Sequence, residues 1–150
     1  MIIAGIDPGF SGAITVLKDN KKPIMYDMPV LKVGKKQEIN AISVKAILSC
    51  CSHIYIEKVG SMPGQGISST ARYHKSAGII VGICIGLGIP YTEVHPRTWK
   101  GAIMKDMPKE KEASIMRAQQ LFPDINFPRK KDHGKADSLL IAVWGTRDHH

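Results

Sequence analysis

Residues Ile2 to Ile6 make an unbroken apolar run that ends on Asp7-Pro8-Gly9, and strand-forming residues resume from Ala13 to Leu17 after the turn signal of Gly12. This pattern reads as a hairpin with Asp7 at its mouth, its first strand a candidate for the centre of a sheet. Pro23 to Met28 gives a third strand, and the basic, glycine-containing stretch Val30 to Lys36 is expected as exposed loop. Ile39, Ile42, Val44, Ile47 and Leu48 recur at helical spacing and predict a helix over 37–51. His53 to Val59 follows as a β-branched strand that puts Ile54 and Ile56 on one face and Tyr55 and Glu57 on the other. A loop rich in Gly, Ser and Pro over 60–69 leads into a long helix over 70–87, whose Gly78, Gly82 and Gly86 share one face. Such a face packs closely, on the sheet or on a second copy of the chain. Ile89 to Val94 is a fifth strand, Pro108 to Phe122 a helix with Pro108 in its first turn, and Lys135 to Trp144 a last helix. Three strands followed by alternating helices and strands is an α/β pattern with a five-stranded mixed sheet flanked by helices.

At 150 residues, with no internal repeat, a single domain spanning 1–150 is expected, long enough to bury a core without disulfides or structural metal. A hydrophobic fraction of 43% excludes a disordered chain. The longest apolar stretch, Ala77 to Pro90, is too short and too rich in glycine to cross a membrane, and Met1 to Gly9 lacks the features of a secretory signal, so a cytoplasmic location is expected. Cys50, Cys51 and Cys84 lack zinc-site spacing and read as reduced core thiols. Lys and Arg number 21 against 13 Asp and Glu, a net charge of +8. The excess is clustered: Lys32, Lys35 and Lys36; Lys105, Lys109 and Lys111; Arg129, Lys130 and Lys131 with Lys135. Clustered cations point to a polyanion, with nucleic acid the leading partner.

In a basic chain the informative residues are acids in apolar settings, because a carboxylate near a core costs free energy unless something pairs with it. Asp7 ends the first strand, Glu57 sits in a β-branched strand, and Asp137 lies in the largely apolar last helix. With the first strand central and the Glu57 strand beside it, the two carboxylates emerge at adjacent strand ends, where a crossing helix can present Asp137 to both. Each acid alone reads as a surface charge or an ion pair. Together, with hard oxygen donors and no convergent thiol, they favour Mg²⁺ or Mn²⁺ over zinc. Two such ions would activate a water and stabilise the leaving oxygen of a phosphodiester.

Gly5-Ile6-Asp7-Pro8-Gly9 with Ser11-Gly12-Ala13, Ile56-Glu57-Lys58-Val59, Met62-Pro63-Gly64-Gln65-Gly66 with Ser68-Ser69-Thr70, Val94-His95-Pro96 with Trp99-Lys100, and Asp132-His133-Gly134-Lys135-Ala136-Asp137 follow one another over most of the chain. In this order and spacing the set resembles the RuvC-like Holliday-junction resolvases, particularly the compact bacteriophage forms. The resemblance implies an RNase H-like fold, a homodimer and Mg²⁺-dependent symmetric incision of four-way DNA junctions, with two ions per site and Mn²⁺ able to substitute. It assigns Asp7, Glu57 and Asp137 as metal ligands and catalytic residues. The family usually places an acid or histidine three residues before the last aspartate, where this chain has Gly134. Asp132 and His133 are the candidates for that catalytic role. Carboxylate oxygen is the harder donor and tips the choice to Asp132 as a metal ligand, while helical spacing speaks for His133. Either residue serves equally as a helix cap, Asp132 being the better type.

Candidate phosphate contacts are Lys35, Lys36, Lys58, Arg72, Lys75, Lys100, Lys105, Arg129, Lys130, Lys131 and Lys135, with Gln65 in a loop expected to overhang the metals. Where the family often has an aromatic followed by glycine after Ser-Ser-Thr, this chain reads Ala71-Arg72-Tyr73-His74, so a stacking role passes to Tyr73 or is lost. Trp99 reads as a packing residue. Actin-like ATPases share the first hairpin but need far more chain. A nuclease of the same fold acting on RNA, forks or flaps, and a non-catalytic module that binds branched DNA, are the rival readings.

Overall fold

The computed structural model describes residues 1–60 and 63–148. Among these the chain runs β1 (Ile2–Asp7), β2 (Ala13–Lys18), β3 (Ile24–Asp27), β4 (Val30–Val33), β5 (Lys36–Ile39), α1 (Ala41–Leu48), β6 (His53–Glu57), α2 (Ile67–Leu87), β7 (Tyr91–Val94), α3 (Pro96–Ile103), α4 (Ala113–Leu121) and α5 (His133–Asp148), with a 3-10 turn over Lys130–Asp132. Five strands form one mixed sheet in the order β3-β2-β1-β6-β7. β1 is its centre, antiparallel to β2 and parallel to β6, which runs parallel to β7 in turn.

The consecutive apolar residues of β1 are explained by cover on both faces. Ala4 and Ile6 join a core with Val44 and Leu48 of α1 and Ile80 and Cys84 of α2. Ile3 points the other way, into a core with Trp99 of α3, Ala118 of α4 and Leu139, Leu140 and Ile141 of α5. Alternation carries this second face on to Gly5 and Asp7. β6 repeats the scheme, with Ile54 and Ile56 in the first core and Tyr55, fully buried, in the second.

α5 lies against β1 at backbone distance. A Cβ on Gly5 would overlap the Ser138 carbonyl and the Ala142 amide, and one on Gly145 would overlap the Tyr55 ring. The Thr15 and Ser138 hydroxyls hydrogen-bond at 2.6 Å across the same buried contact.

The expected α/β class, the β1–β2 hairpin, β3, the centrality of β1 and its β6 neighbour are present. Several boundaries differ. Residues 30–36 are not a loop: β4 and β5 pair with Val33 opposite Lys36, leaving Gly34-Lys35 as a two-residue turn. Gly34 takes φ +65°, which suits a glycine-first hairpin turn, and the interleaved lysines had concealed the alternation. The helix expected over 37–51 is shortened to α1, because Lys36–Ile39 is strand and the Asn40 side chain accepts the Ser43 amide at 3.3 Å to start the helix. α2 starts at Ile67 rather than Thr70. α3 was not anticipated, although Pro96 at its first turn is a start signal. α4 begins at Ala113 instead of Pro108, since Lys109 to Glu112 offer no apolar side chain to bury. α5 extends to His133 and Asp148. Among the described residues, nothing lies within 4 Å of a Cβ built on Gly78, Gly82 or Gly86, which removes the sheet from the two expected partners of that face.

Gly5→Ala is expected to cost about 3 kcal/mol, the upper end of core overpacking, because backbone rather than a side-chain tip blocks the added methyl. Gly101→Ala in α3 meets no atom within 4 Å and is expected to gain ~0.5–1 kcal/mol of helix stability. Urea denaturation of the two variants checks the opposite signs.

Candidate active site

Parallel pairing of β1 with β6 sets the site. Ile6 lies opposite Ile56, so the next residues, Asp7 and Glu57, end neighbouring strands side by side on the α5 face of the sheet. Seating α5 on Gly5 brings Asp137 to the same place. Burial first, then the charges of Asp137 and Glu57, hold the Asp7 carboxyl well above its ordinary value, with Lys100 opposing. Glu57 is raised by burial and by Asp137, against a hydrogen bond from Trp99 and the charge of Lys100. Asp137 is raised by burial, partly offset by the Ser114 hydroxyl, Lys100 and His133. The Tyr73 hydroxyl is pushed up by burial and by all three carboxylates, so it too borders the trio. Its ring closes over Gly9, where a Cβ would stand 2.7 Å away.

Among the described residues, no three His, Cys, Asp or Glu side chains stand close enough together to cage an ion unaided. The donor set nonetheless suits a hard divalent cation. Oδ1 of Asp137 is buried without a hydrogen-bond partner, a state that costs about 1–3 kcal/mol for a polar atom. Three carboxylates repel one another, and a cation among them would reverse that repulsion.

Lys100, Ser114, His133 and Asp137 line a cavity of about 570 Å³ together with residues of the 107–111 segment. A second cavity of about 780 Å³ is lined by Glu57, Lys58, Gln65, Tyr73, His95 and Arg97. The loop carrying Gln65 therefore borders Glu57; its Met62 lies outside the described residues.

Asp132 does not join the trio. Its carboxylate accepts from the Arg129 amide at 2.9 Å, from Nε at 2.9 Å and from Nη2 at 2.6 Å. Burial works to raise Asp132, and the Arg129 hydrogen bonds and charge overcome it, leaving the carboxyl below its ordinary value. This corrects the choice of Asp132 as fourth ligand: it is 2% exposed and closes the turn before α5. His133, which shares a cavity with Asp137 and acts on its charge, is the residue placed at the site. Gly134 is fixed by packing, since a Cβ there would lie 2.7 Å from the Ser11 carbonyl oxygen.

Arg129 is also corrected as a phosphate ligand. Its Nη1 and Nη2 donate to Asp27 at 3.0 and 2.8 Å while Nε and Nη2 hold Asp132, so the guanidinium braces β3 to the start of α5. Lys131 and Lys135 stand 3.6 and 3.9 Å from the same Asp27. Lys75 lies 4.0 Å from Glu38. Lys35, Lys36 and Arg72 line one groove, and Lys130 and Lys131 another with Lys111 and His133. Lys105 is tied in through its carbonyl, which accepts from Arg117. Trp99 is a packing residue, as expected, but also a partner of Glu57. Cys51 and Cys84 are buried free thiols, whereas Cys50 is exposed and so no core residue.

Structural comparison settles the architecture. A Thermus thermophilus RuvC structure superposes with a TM-score of 0.67 at 19% identity, covering 99% of this chain and 97% of that one. The fold is that of RuvC. T. thermophilus RuvC in complex with a Holliday junction substrate gives a TM-score of 0.70 at 18% identity over 99% and 96% of the two chains. The yeast mitochondrial Holliday junction resolvase Ydc2 gives 0.53 at 16% identity over 97% and 77%. In sequence, the chloroplastic Holliday junction resolvase MOC1 of Chlamydomonas reinhardtii is 35% identical over 92 residues, 60% of this chain and 10% of that protein. The chain thus spans about a tenth of that curated relative. No family model matches. Within the RuvC fold of this chain, Ser114 at the acids carried no sequence signal, Tyr73 was marked only for stacking, and Lys100 only as a phosphate contact.

Folding raises the three carboxyl groups, so the folded chain holds their protons more tightly than the unfolded one. Their contribution is therefore favourable below the ordinary 3.8–4.5 range and is lost as pH rises through the raised values. In EDTA at neutral pH, Asp7→Asn is expected to raise Tm by about 2–4 °C for each kcal/mol of repulsion and desolvation removed. The advantage fades toward pH 4. Thermal melts of both proteins in EDTA across that range check it.

Proposed function

We propose that the chain is a Mg²⁺-dependent endodeoxyribonuclease that resolves four-way DNA junctions by paired symmetric nicks. The observation that carries this reading is the meeting of Asp7, Glu57 and Asp137, with a partnerless buried oxygen, on the fold of RuvC. Support for the substrate comes from the relatives, which are described as Holliday junction resolvases, one of them in complex with a Holliday junction substrate.

Asp7, Glu57 and Asp137 would hold the metal, with His133 beside Asp137. Bound there, Mg²⁺ or Mn²⁺ supplies Lewis-acid polarisation of the phosphodiester and a water of lowered pKa. His133, in the cavity it shares with Asp137, would accept a proton from the attacking water at a ring nitrogen. The Lys100 ammonium neutralises a phosphate oxygen that approaches the acids. The Trp99 ring against Glu57 and the Tyr73 ring near the trio lower the local polarity, which strengthens these charge interactions. Each protomer of a two-fold homodimer would cut one strand, leaving a 5′-phosphate and a 3′-hydroxyl. The open glycine face of α2, with Ile85 65% exposed beside it, supports a second copy as its cover.

Incubation with a labelled four-way junction, beside duplex, flap and fork controls in Mg²⁺, is expected to give paired nicks confined to the junction. Asp7→Asn should lower the cleavage rate by more than the roughly 10–100-fold loss typical of an outer-shell change, with junction binding retained. Equal cutting of flaps and forks would make the chain a broader structure-selective nuclease. Binding without cutting in Mg²⁺ or Mn²⁺ would leave a binding module. Alanine at Lys130 and Lys131 should reduce the salt slope of junction binding by about 0.9 for each phosphate that is no longer neutralised, measured by fluorescence anisotropy.

A further inference from the structure

Trp99 is 0% exposed, yet its one polar atom is directed at the acids: the indole Nε1 donates to Glu57 Oε2 at 2.7 Å. The face of the same ring carries the Lys100 ammonium, 5.4 Å from the ring centre and within cation–π range. Lys100 in turn acts on Asp7, Glu57 and Asp137. One indole therefore touches both an anion of the site and the cation that opposes the trio's repulsion.

The element that delivers this ring is itself held. Pro96 occupies the first turn of α3, and the His95 ring nitrogen Nδ1 accepts the Arg97 amide at 3.2 Å. Burial leaves the indole no alternative rotamer without opening the second core. A hydrogen bond to an ionised carboxylate from such a group is strong and directional, and fixes the rotation of the carboxylate about its own axis.

We propose that Trp99 is a positioning residue for metal binding: by clamping Oε2 it sets the orientation in which Glu57 meets the divalent ion. The inference rests on the reading of the acid trio as the metal site. A purely structural Trp99 would contribute to stability and leave the affinity for the ion unchanged. A positioning Trp99 makes ion affinity depend on the N–H, because an untethered Glu57 must be ordered when the ion binds.

Trp99→Phe keeps an aromatic ring in place and deletes the N–H. Calorimetric titration of metal-free protein with Mn²⁺ is expected to show affinity reduced about 10–100-fold relative to wild type, with binding of a four-way junction in EDTA unchanged. A second measurement does not require that variant to fold. The chain has two tryptophans, Trp99 and Trp144, so in Trp144→Phe the fluorescence comes from Trp99. Saturable Mg²⁺ binding should shift that emission, and Glu57→Gln should abolish the shift. Wild-type Mn²⁺ affinity in Trp99→Phe overturns the inference, as does Mg²⁺ binding that leaves Trp99 emission unmoved. A wild-type protein that binds neither ion overturns the metal reading, and this inference with it.

Discussion

The contact between α5 and β1 is the constraint from which the rest of the site follows. Gly5 faces the helix at the one place where any side chain would meet the backbone of Ser138 and Ala142, and Gly145 makes the equivalent concession to Tyr55. The helix can lie this low only because both are glycine. Its depth brings Asp137 to the end of a central strand, and it also decides what cannot be there. The first turn passes so near Ser11 and Gly12 that position 134 has no room for a side chain. Of the two neighbouring candidates, His133 is the one that lines a cavity together with Asp137. The departure at Gly134 is a consequence of packing and by itself says nothing against catalysis.

The acids of this basic chain fall into two populations. Asp27 and Asp132 are held below the ordinary range, Asp27 by hydrogen bonds from Arg129 and by nearby lysines, and Asp132 by the Arg129 bonds that overcome its burial. Asp7, Glu57 and Asp137 are raised, since burial removes water from them and Lys100 is a weak answer to three charges. The difference lies in what each carboxylate has for a partner. Arg129 ties together two acids of the first group and thereby fixes the approach to α5, while the second group is left with a deficit of positive charge in the middle of a protein with an excess of it. An arrangement that stores repulsion while cations are plentiful nearby is a poor way to build a stable core, and a reasonable one to attract a metal.

Much of this was legible in the sequence where burial alone decides the outcome. β1, β2 and β6 announce themselves as apolar or β-branched runs, and Asp7, Glu57 and Asp137 stand out because each interrupts such a segment. What stayed hidden depends on contacts between distant parts of the chain. Asp132 has the right chemistry for a metal ligand and the right neighbour in sequence, but Arg129 claims it while also reaching Asp27, 102 residues away. Trp99 reads as core by composition, and its bond to Glu57 spans 42 residues. In β4 and β5 the strand signal was masked by lysines that decorate a separate two-stranded hairpin, and residues 109–112 carry helix-forming types with no apolar face to dock. Periodicity reports what a segment buries and is silent on which polar group will meet which.

The cavities extend the argument from the acids to the surface around them. The groove of Lys35 and Lys36 shares Phe10 and Arg72 with the next cavity, which shares Gln65 and Tyr73 with the one that reaches Glu57. On the far side, the cavity of Asp137 shares Lys111 and His133 with the one lined by Lys130 and Lys131. Followed through their common residues, these hollows form two series, one joining Lys35 and Lys36 to Glu57 and the other joining Lys130 and Lys131 to Asp137. Such a distribution agrees with the polyanionic substrate proposed above, since a small anion would need a single basic pocket. The net charge therefore matters less for its size than for its interruption by buried carboxylates, where a divalent ion would turn repulsion of phosphate into attraction.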